Sequence, residues 1–188
     1  RYRFTQPFFL YLGRLEAKKN VVNILRAFAQ LRQRLGADDR VSLVLAGTPG
    51  FGFDRIEAAI HECGFDSHLL MPGYVPEEDL PAIIAGAHAL LFPSCYEGFG
   101  MPILQAQAVG TPVITANHSA MPEVAGTGAL FVNARDPAEI AQAMEQLLHD
   151  AALHASLRAD GLVNVQRFSW DRTARRTMDI LLEVLNAV

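Results

Sequence analysis

Three short polar segments carry the residue types that could do chemistry. The first, Gly13-Arg14-Leu15-Glu16-Ala17-Lys18-Lys19-Asn20, follows an apolar run and holds both lysines of the chain. Arg14 and Lys19 stand five positions apart, across a turn that leads into a helix. A guanidinium fork, an ammonium and the free N–H groups of a helix start together suit a diphosphate. Solvated surface charge is the plainer reading of a lone basic pair; a place at the end of a strand favours the chemical one. The second segment runs from Pro93-Ser94-Cys95-Tyr96-Glu97 through Gly98-Phe99-Gly100-Met101-Pro102 into a helix. Glycines on both sides of Phe99 let the backbone take positive φ and approach a ligand closely. Pro102 suits a first helical turn, and a glycine loop before a helix start attracts phosphate or a sugar hydroxyl. Glu97 stands where a strand has just ended and can accept hydrogen bonds from hydroxyls. Gln105 follows eight positions later, about two turns on. The third segment, Asn117-His118-Ser119-Ala120-Met121-Pro122-Glu123-Val124, is a polar loop suited to rim a pocket. Taken singly, His118 and Glu123 read equally well as parts of a plain loop and a helix start.

Other chemistries lack their residues. Six histidines are scattered with no H-x-x-x-H pair and no Cys/His knuckle, so no metal site is expected. His61, His149 and His154 fall on helices and read as surface or packing residues. No G-x-S-x-G elbow exists. The run Gly47-Thr48-Pro49-Gly50-Phe51-Gly52 follows the second apolar segment, not the first, and lacks the G-x-G-x-x-G spacing. Cys63 and Cys95 are lone residues in apolar contexts, which argues against a disulfide scaffold.

The elements that must position these loops alternate. Apolar runs at Phe8–Leu12, Val41–Leu45, Leu69–Met71, Ala89–Phe92, Pro112–Ala116 and Ala129–Val132 read as strands buried on both faces. Between them, helices are expected over Asn20–Arg34, Asp54–Cys63 and Pro102–Val109. Another should begin at Pro76-Glu77-Glu78-Asp79, with acids in its first turn. Gly64 caps the Asp54–Cys63 helix. Helices over Pro137–His149, Ala151–Gln166 and Trp170–Leu185 close the chain. Such alternation predicts an α/β fold, a Rossmann-like parallel sheet flanked by helices. Ligands of such sheets bind beyond the carboxyl ends of the strands, at a switch point, and all three segments are strand-to-helix loops.

The chain has 188 residues, 51% of them hydrophobic, enough for one domain with a full core. Its net charge is −4, yet the first forty residues carry nine basic groups against three acids. A polyanion-binding surface over the whole molecule is excluded and no nucleic acid is expected, while a local anion site near the N-terminus stays open. No apolar stretch reaches about 18 residues, so no membrane span is expected. The opening Arg-Tyr-Arg-Phe does not read as a signal peptide. It runs almost at once into a strand without a Met, and reads as a piece cut from a longer protein.

Five motifs then occur in order with fitting spacing. They are Gly13-Arg14…Lys19-Asn20, Leu43-Val44-Leu45-Ala46-Gly47, Gly73-Tyr74-Val75, Pro93-Ser94…Glu97-Gly98-Phe99-Gly100-Met101-Pro102 and Met121-Pro122-Glu123-Val124-Ala125-Gly126. Together they resemble the C-terminal domain of glycosyltransferase family 4 (group 1), retaining enzymes of the GT-B fold. The resemblance covers nearly the whole chain, down to Phe168-Ser169-Trp170 at the start of the closing helical segment 168–188. It implies transfer of a hexosyl group from a nucleoside-diphosphate sugar to a glycan or lipid-linked acceptor, with no metal and no other cofactor. It also implies that residues 1–188 are the donor-binding half and that an absent N-terminal half holds the acceptor. By the same resemblance, Arg14 and Lys19 would clamp the diphosphate, beside Gly13, and offset charge on the leaving nucleotide. Glu97 would lie near the sugar hydroxyls, and the amides of Gly98, Phe99, Gly100 and Met101 would hold hydroxyls and phosphate. The backbone at Tyr74 and Val75 would meet the base. Where the family carries a second glutamate for the ribose, this chain has Gln105, which keeps an acceptor but loses the charge-assisted part of the bond.

Two other readings compete. Gln105 would suit a nucleotide-sugar-binding module or pseudo-enzyme partner without transfer activity, against which stand Arg14, Lys19 and Glu97. A nicotinamide-dependent oxidoreductase needs a glycine fingerprint after the first strand, and Gly13-Arg14-Leu15 is not one. The resemblance points first to a GDP-hexose such as GDP-mannose and next to UDP-sugars. A cytoplasmic place is expected, with the other half free to touch the inner membrane surface.

Overall fold

In the computed structural model of the chain, residues 2, 4, 7–36, 40–65 and 67–186 are described. Arg1, Arg3, Asp38 and Asp39 of the basic N-terminal segment lie outside the described residues. Six strands form one sheet: β1 (Phe8–Leu12), β2 (Ser42–Ala46), β3 (Leu69–Gly73), β4 (Ala89–Phe92), β5 (Val113–Ala116) and β6 (Ala129–Val132). Every neighbouring pair is parallel, in the order β3-β2-β1-β4-β5-β6. Between the strands run α1 (Val21–Leu35), α2 (Phe53–Cys63), α3 (Leu80–Gly86), α4 (Met101–Ala108) and α5 (Met121–Ala125). After the sheet come α6 (Pro137–His149), α7 (Ala151–Asn164) and α8 (Trp170–Asn186).

The continuous apolar runs are what a doubly covered sheet demands. Along β1, Phe9 and Tyr11 join a core with Ile24, Leu25 and Phe28 of α1 and Ile140 and Met144 of α6. Phe8 and Leu10 point the other way, into a second core with Ile83, Ile103, Leu104 and Val124. Alternate residues of one strand thus feed two helical layers. In α1, apolar residues three and four apart place Ile24, Leu25, Phe28 and Leu31 on one buried stripe.

Most expected elements appear with ends shifted by a residue or two. The helix expected from Pro76 begins later. Pro76–Asp79 form a turn in which the Asp79 amide donates to the Pro76 carbonyl (3.0 Å), and α3 starts at Leu80 with no acid in its first turn. The third strand continues through Pro72 to Gly73, because a proline is tolerated at the outer edge of a sheet. The α7 helix stops at Asn164, and Val165–Arg167 tighten into a 3-10 turn. Cys95 is exposed in a loop and not in an apolar setting, and both cysteines are free thiols.

Candidate functional site

Strand order reverses direction between β1 and β4, so the loops leaving these two strands diverge and open a crevice beyond their carboxyl ends. Those are the loops Gly13–Asn20 and Pro93–Gly100. Three strand ends are drawn together there by glycine. The Gly13 amide donates to the Ala46 carbonyl (3.0 Å), and the Gly47 amide to the Gly73 carbonyl (2.8 Å). At Gly47 (φ 152°) a Cβ would fall 1.8 Å from the Gly13 carbonyl oxygen, so the close approach of the two loops requires glycine.

A cleft of about 360 Å³ follows, walled by Leu12, Ala46, Val75 and Leu80, with Gly13, Arg14, Tyr74 and Gln105 also on its lining. Five residues expected to meet a donor, Gly13, Arg14, Tyr74, Val75 and Gln105, therefore share one cavity. Val75 is buried, while Tyr74 stands exposed at the mouth. Arg14 leans on Glu16 (3.3 Å), which also lies 3.5 Å from Lys18. Glu16 thus organises the basic loop, and its signal in the sequence was an acid placed two positions from each cation.

Across the switch point, Lys19 Nζ donates to Glu97 Oε1 at 2.6 Å, with side chains only 19% and 14% exposed. The ammonium also lies 5.7 Å from the centre of the Phe92 ring. Arg14 and Lys19, expected to act as one clamp, therefore hold different partners. Tyr11 is wholly buried beneath, its hydroxyl donating to the Arg14 carbonyl (2.7 Å). Burial, then the charges of Glu97 and Glu16, push this phenol well above its ordinary range.

The chain after Glu97 enters α4 through Gly100 (φ 114°), and no side chain caps the helix start. Gly98 has open space where a Cβ would be. Ser94, whose hydroxyl is buried without a hydrogen-bond partner, lies in the same loop. The side chains of Phe99 and Met101 turn away from the cleft, toward a groove shared with Leu104, Phe168 and Trp170. The Phe99 ring meets Phe168 edge-on, centroids 5.8 Å apart. What these two residues bring to the crevice is backbone.

The third polar segment holds the second. The His118 ring donates to the Cys95 carbonyl (2.9 Å). Ser119 Oγ donates to the Glu97 carbonyl (2.7 Å) and accepts from the Glu97 amide (3.2 Å). Asn20 is buried, and its side-chain amide donates to the carbonyls of Pro93 (2.8 Å) and Ala134 (2.6 Å). Asn20 and Ser119 fall inside the polar segments, but nothing local in the sequence assigns either one a role. Among the described residues, no group of three His, Cys, Asp or Glu side chains is placed to hold a metal, and no helix is long and apolar enough to cross a membrane.

Comparison with known proteins agrees with this architecture. The model of the family Glycosyl transferases group 1 matches residues 3–161. The chain is 33% identical over 174 residues to O-antigen chain mannosyltransferase B of Escherichia coli, covering 93% of this chain and 45% of that protein. Sucrose-phosphate synthase from Thermosynechococcus elongatus superposes with a TM-score of 0.82 at 26% identity, over 97% of this chain and 46% of that one. HepE of Anabaena, solved in complex with UDP and glucose, gives a TM-score of 0.81 at 21% identity, over 93% and 47% of the two chains. The chain thus spans less than half the length of these relatives.

Proposed function

The chain belongs to the group 1 glycosyl transferases, its sheet corresponding to the C-terminal half of GT-B enzymes, and from that premise we propose that it is the donor-binding half of a retaining, metal-independent hexosyltransferase. Its donor is a nucleoside-diphosphate sugar, GDP-mannose or a UDP-sugar, and its acceptor a glycan or lipid-linked sugar held by the other half of the enzyme.

The observation that carries this reading is the crevice at the switch point. It unites Gly13, Arg14, Tyr74, Val75 and Gln105 in one cleft, beside the Lys19–Glu97 pair. The base lies against the Tyr74–Val75 backbone and the ribose against Gln105. Arg14 faces the diphosphate, and Lys19 supplies positive charge where the leaving phosphate gains negative charge. Glu97 accepts hydrogen bonds from the sugar hydroxyls. The amides of Gly98, Phe99, Gly100 and Met101, at a helix start with no side-chain cap, add donors for hydroxyl and phosphate oxygens. Support for a mannosyl donor comes from the curated relatives, of which O-antigen chain mannosyltransferase B is one; support for a UDP-sugar comes from the HepE complex with UDP and glucose.

Calorimetric titration with GDP, UDP, ADP and their sugar conjugates tests the reading. One diphosphate should bind, and Arg14→Ala and Lys19→Ala should each weaken it at least tenfold, about 1.4 kcal/mol. Absence of binding at millimolar ligand would refute a donor site. The chain alone should bind donor without transferring sugar, so robust transfer by it would refute the assignment to half of an active site.

A further inference from the structure

Among the described residues, only two that are not glycine adopt positive φ: Asn20 at 64° and Ser119 at 59°. That conformation is uncommon for side-chain-bearing residues, tolerable for Asn and costlier for Ser, and it persists where surroundings over-determine it. Both residues sit against the Lys19–Glu97 pair. Asn20 is the next residue after Lys19. Its side-chain oxygen accepts from Asn23 Nδ2 (2.9 Å), which turns its NH₂ group toward the Pro93 and Ala134 carbonyls. The loop after β1 is thereby tied to the loops after β4 and β6. Ser119 grips Glu97 from the opposite side, through both its amide and its carbonyl.

A lysine ammonium on four rotatable bonds meets a carboxylate reproducibly only if both backbones are fixed. We propose that Asn20 and Ser119 are positioning residues: two left-handed braces that hold Lys19 and Glu97 together across the switch point as a preset unit. Why the unit matters rests on the donor-site reading, since it places a cation and a carboxylate side by side where phosphate meets sugar.

Glycine accepts both φ values without strain, so Asn20→Gly and Ser119→Gly remove only the side-chain bonds. The chain has just two lysines, so selective ¹³C-lysine labelling yields two side-chain signals. Lys18, with its side chain 67% exposed, is the solvent reference. Lys19, near the Phe92 ring, should show split Hε resonances moved upfield. In either glycine variant these should collapse toward the Lys18 position while the remaining spectrum stays folded. The affinity for whichever of GDP or UDP binds should fall about tenfold. Unchanged Lys19 resonances in the folded variants would overturn the proposal. Should Asn20→Gly not fold, Ser119→Gly, at an exposed loop position, decides alone. Should the unmutated chain bind neither nucleotide, the donor reading fails, while the lysine spectrum still decides whether the braces exist.

Discussion

At the scale of single residues, position 105 is where this chain departs from the motif it otherwise follows. Gln105 lies on the cleft lining, and in the proposed donor site its amide would offer a ribose hydroxyl a neutral acceptor. A carboxylate there would make a charge-assisted bond, roughly 1 kcal/mol stronger. Gln105→Glu should therefore tighten nucleoside diphosphate binding about fivefold to tenfold by calorimetry. An unchanged affinity would mean that the ribose does not meet this side chain. Arg14, Lys19 and Glu97 could be singled out in the sequence because their chemistry is intrinsic and their loops follow apolar runs, whereas Gln105 drew notice only through the family resemblance. Asn20 was not: its two acceptors lie 73 and 114 residues along the chain, and no local pattern announces such partners. Ser119 sat inside a segment recognised as polar, yet only the fold shows that it holds Glu97.

At the scale of elements, the site depends on how closely strand ends approach. Gly47→Ala would drive a methyl group into the Gly13 carbonyl at a backbone angle that L residues avoid. A loss of about 3 kcal/mol in unfolding free energy is expected, with loss of nucleotide binding. Gly64, left-handed (φ 64°, ψ 48°) with open space around its Cβ position, is the control. Gly64→Ala should cost only the left-handed penalty, about 1 kcal/mol, and spare binding. Equal costs in urea melts would show that the loop approach is not tight. Strands and long helices were readable because hydrophobic period follows secondary structure directly. The start of α3 was not, since Pro76 and the acids after it fit a helix start and a turn equally well. The turn of Phe99 toward Phe168 depends on a segment about seventy residues away, beyond the reach of local spacing.

At the scale of the whole molecule, a histidine pair adds polar ties between the sheet and helices α6 and α7, beside their apolar packing. His88, just before β4, donates from Nε2 to the Leu147 carbonyl of α6 (3.0 Å). His154 of α7 donates to the His88 carbonyl (3.0 Å), and the two rings lie 4.6 Å apart. Burial, and secondarily the neighbouring His154, depress the His88 pKa below its ordinary value of 6.5, against a raising contribution from the Leu147 hydrogen bond. A depressed value means that the folded state binds the proton less readily than the unfolded chain. Stability from this site is thus present above pH 6.5 and is lost as pH falls from there through the folded-state value. The melting temperature should drop on acidification from neutral pH, and His88→Phe should flatten that part of the profile. The melt should be followed by far-UV circular dichroism. Trp170, the single tryptophan, is 79% exposed on α8, none of whose residues is buried, so its emission will barely change on unfolding. A profile that keeps its acid slope in His88→Phe would place the responsible group elsewhere in the molecule.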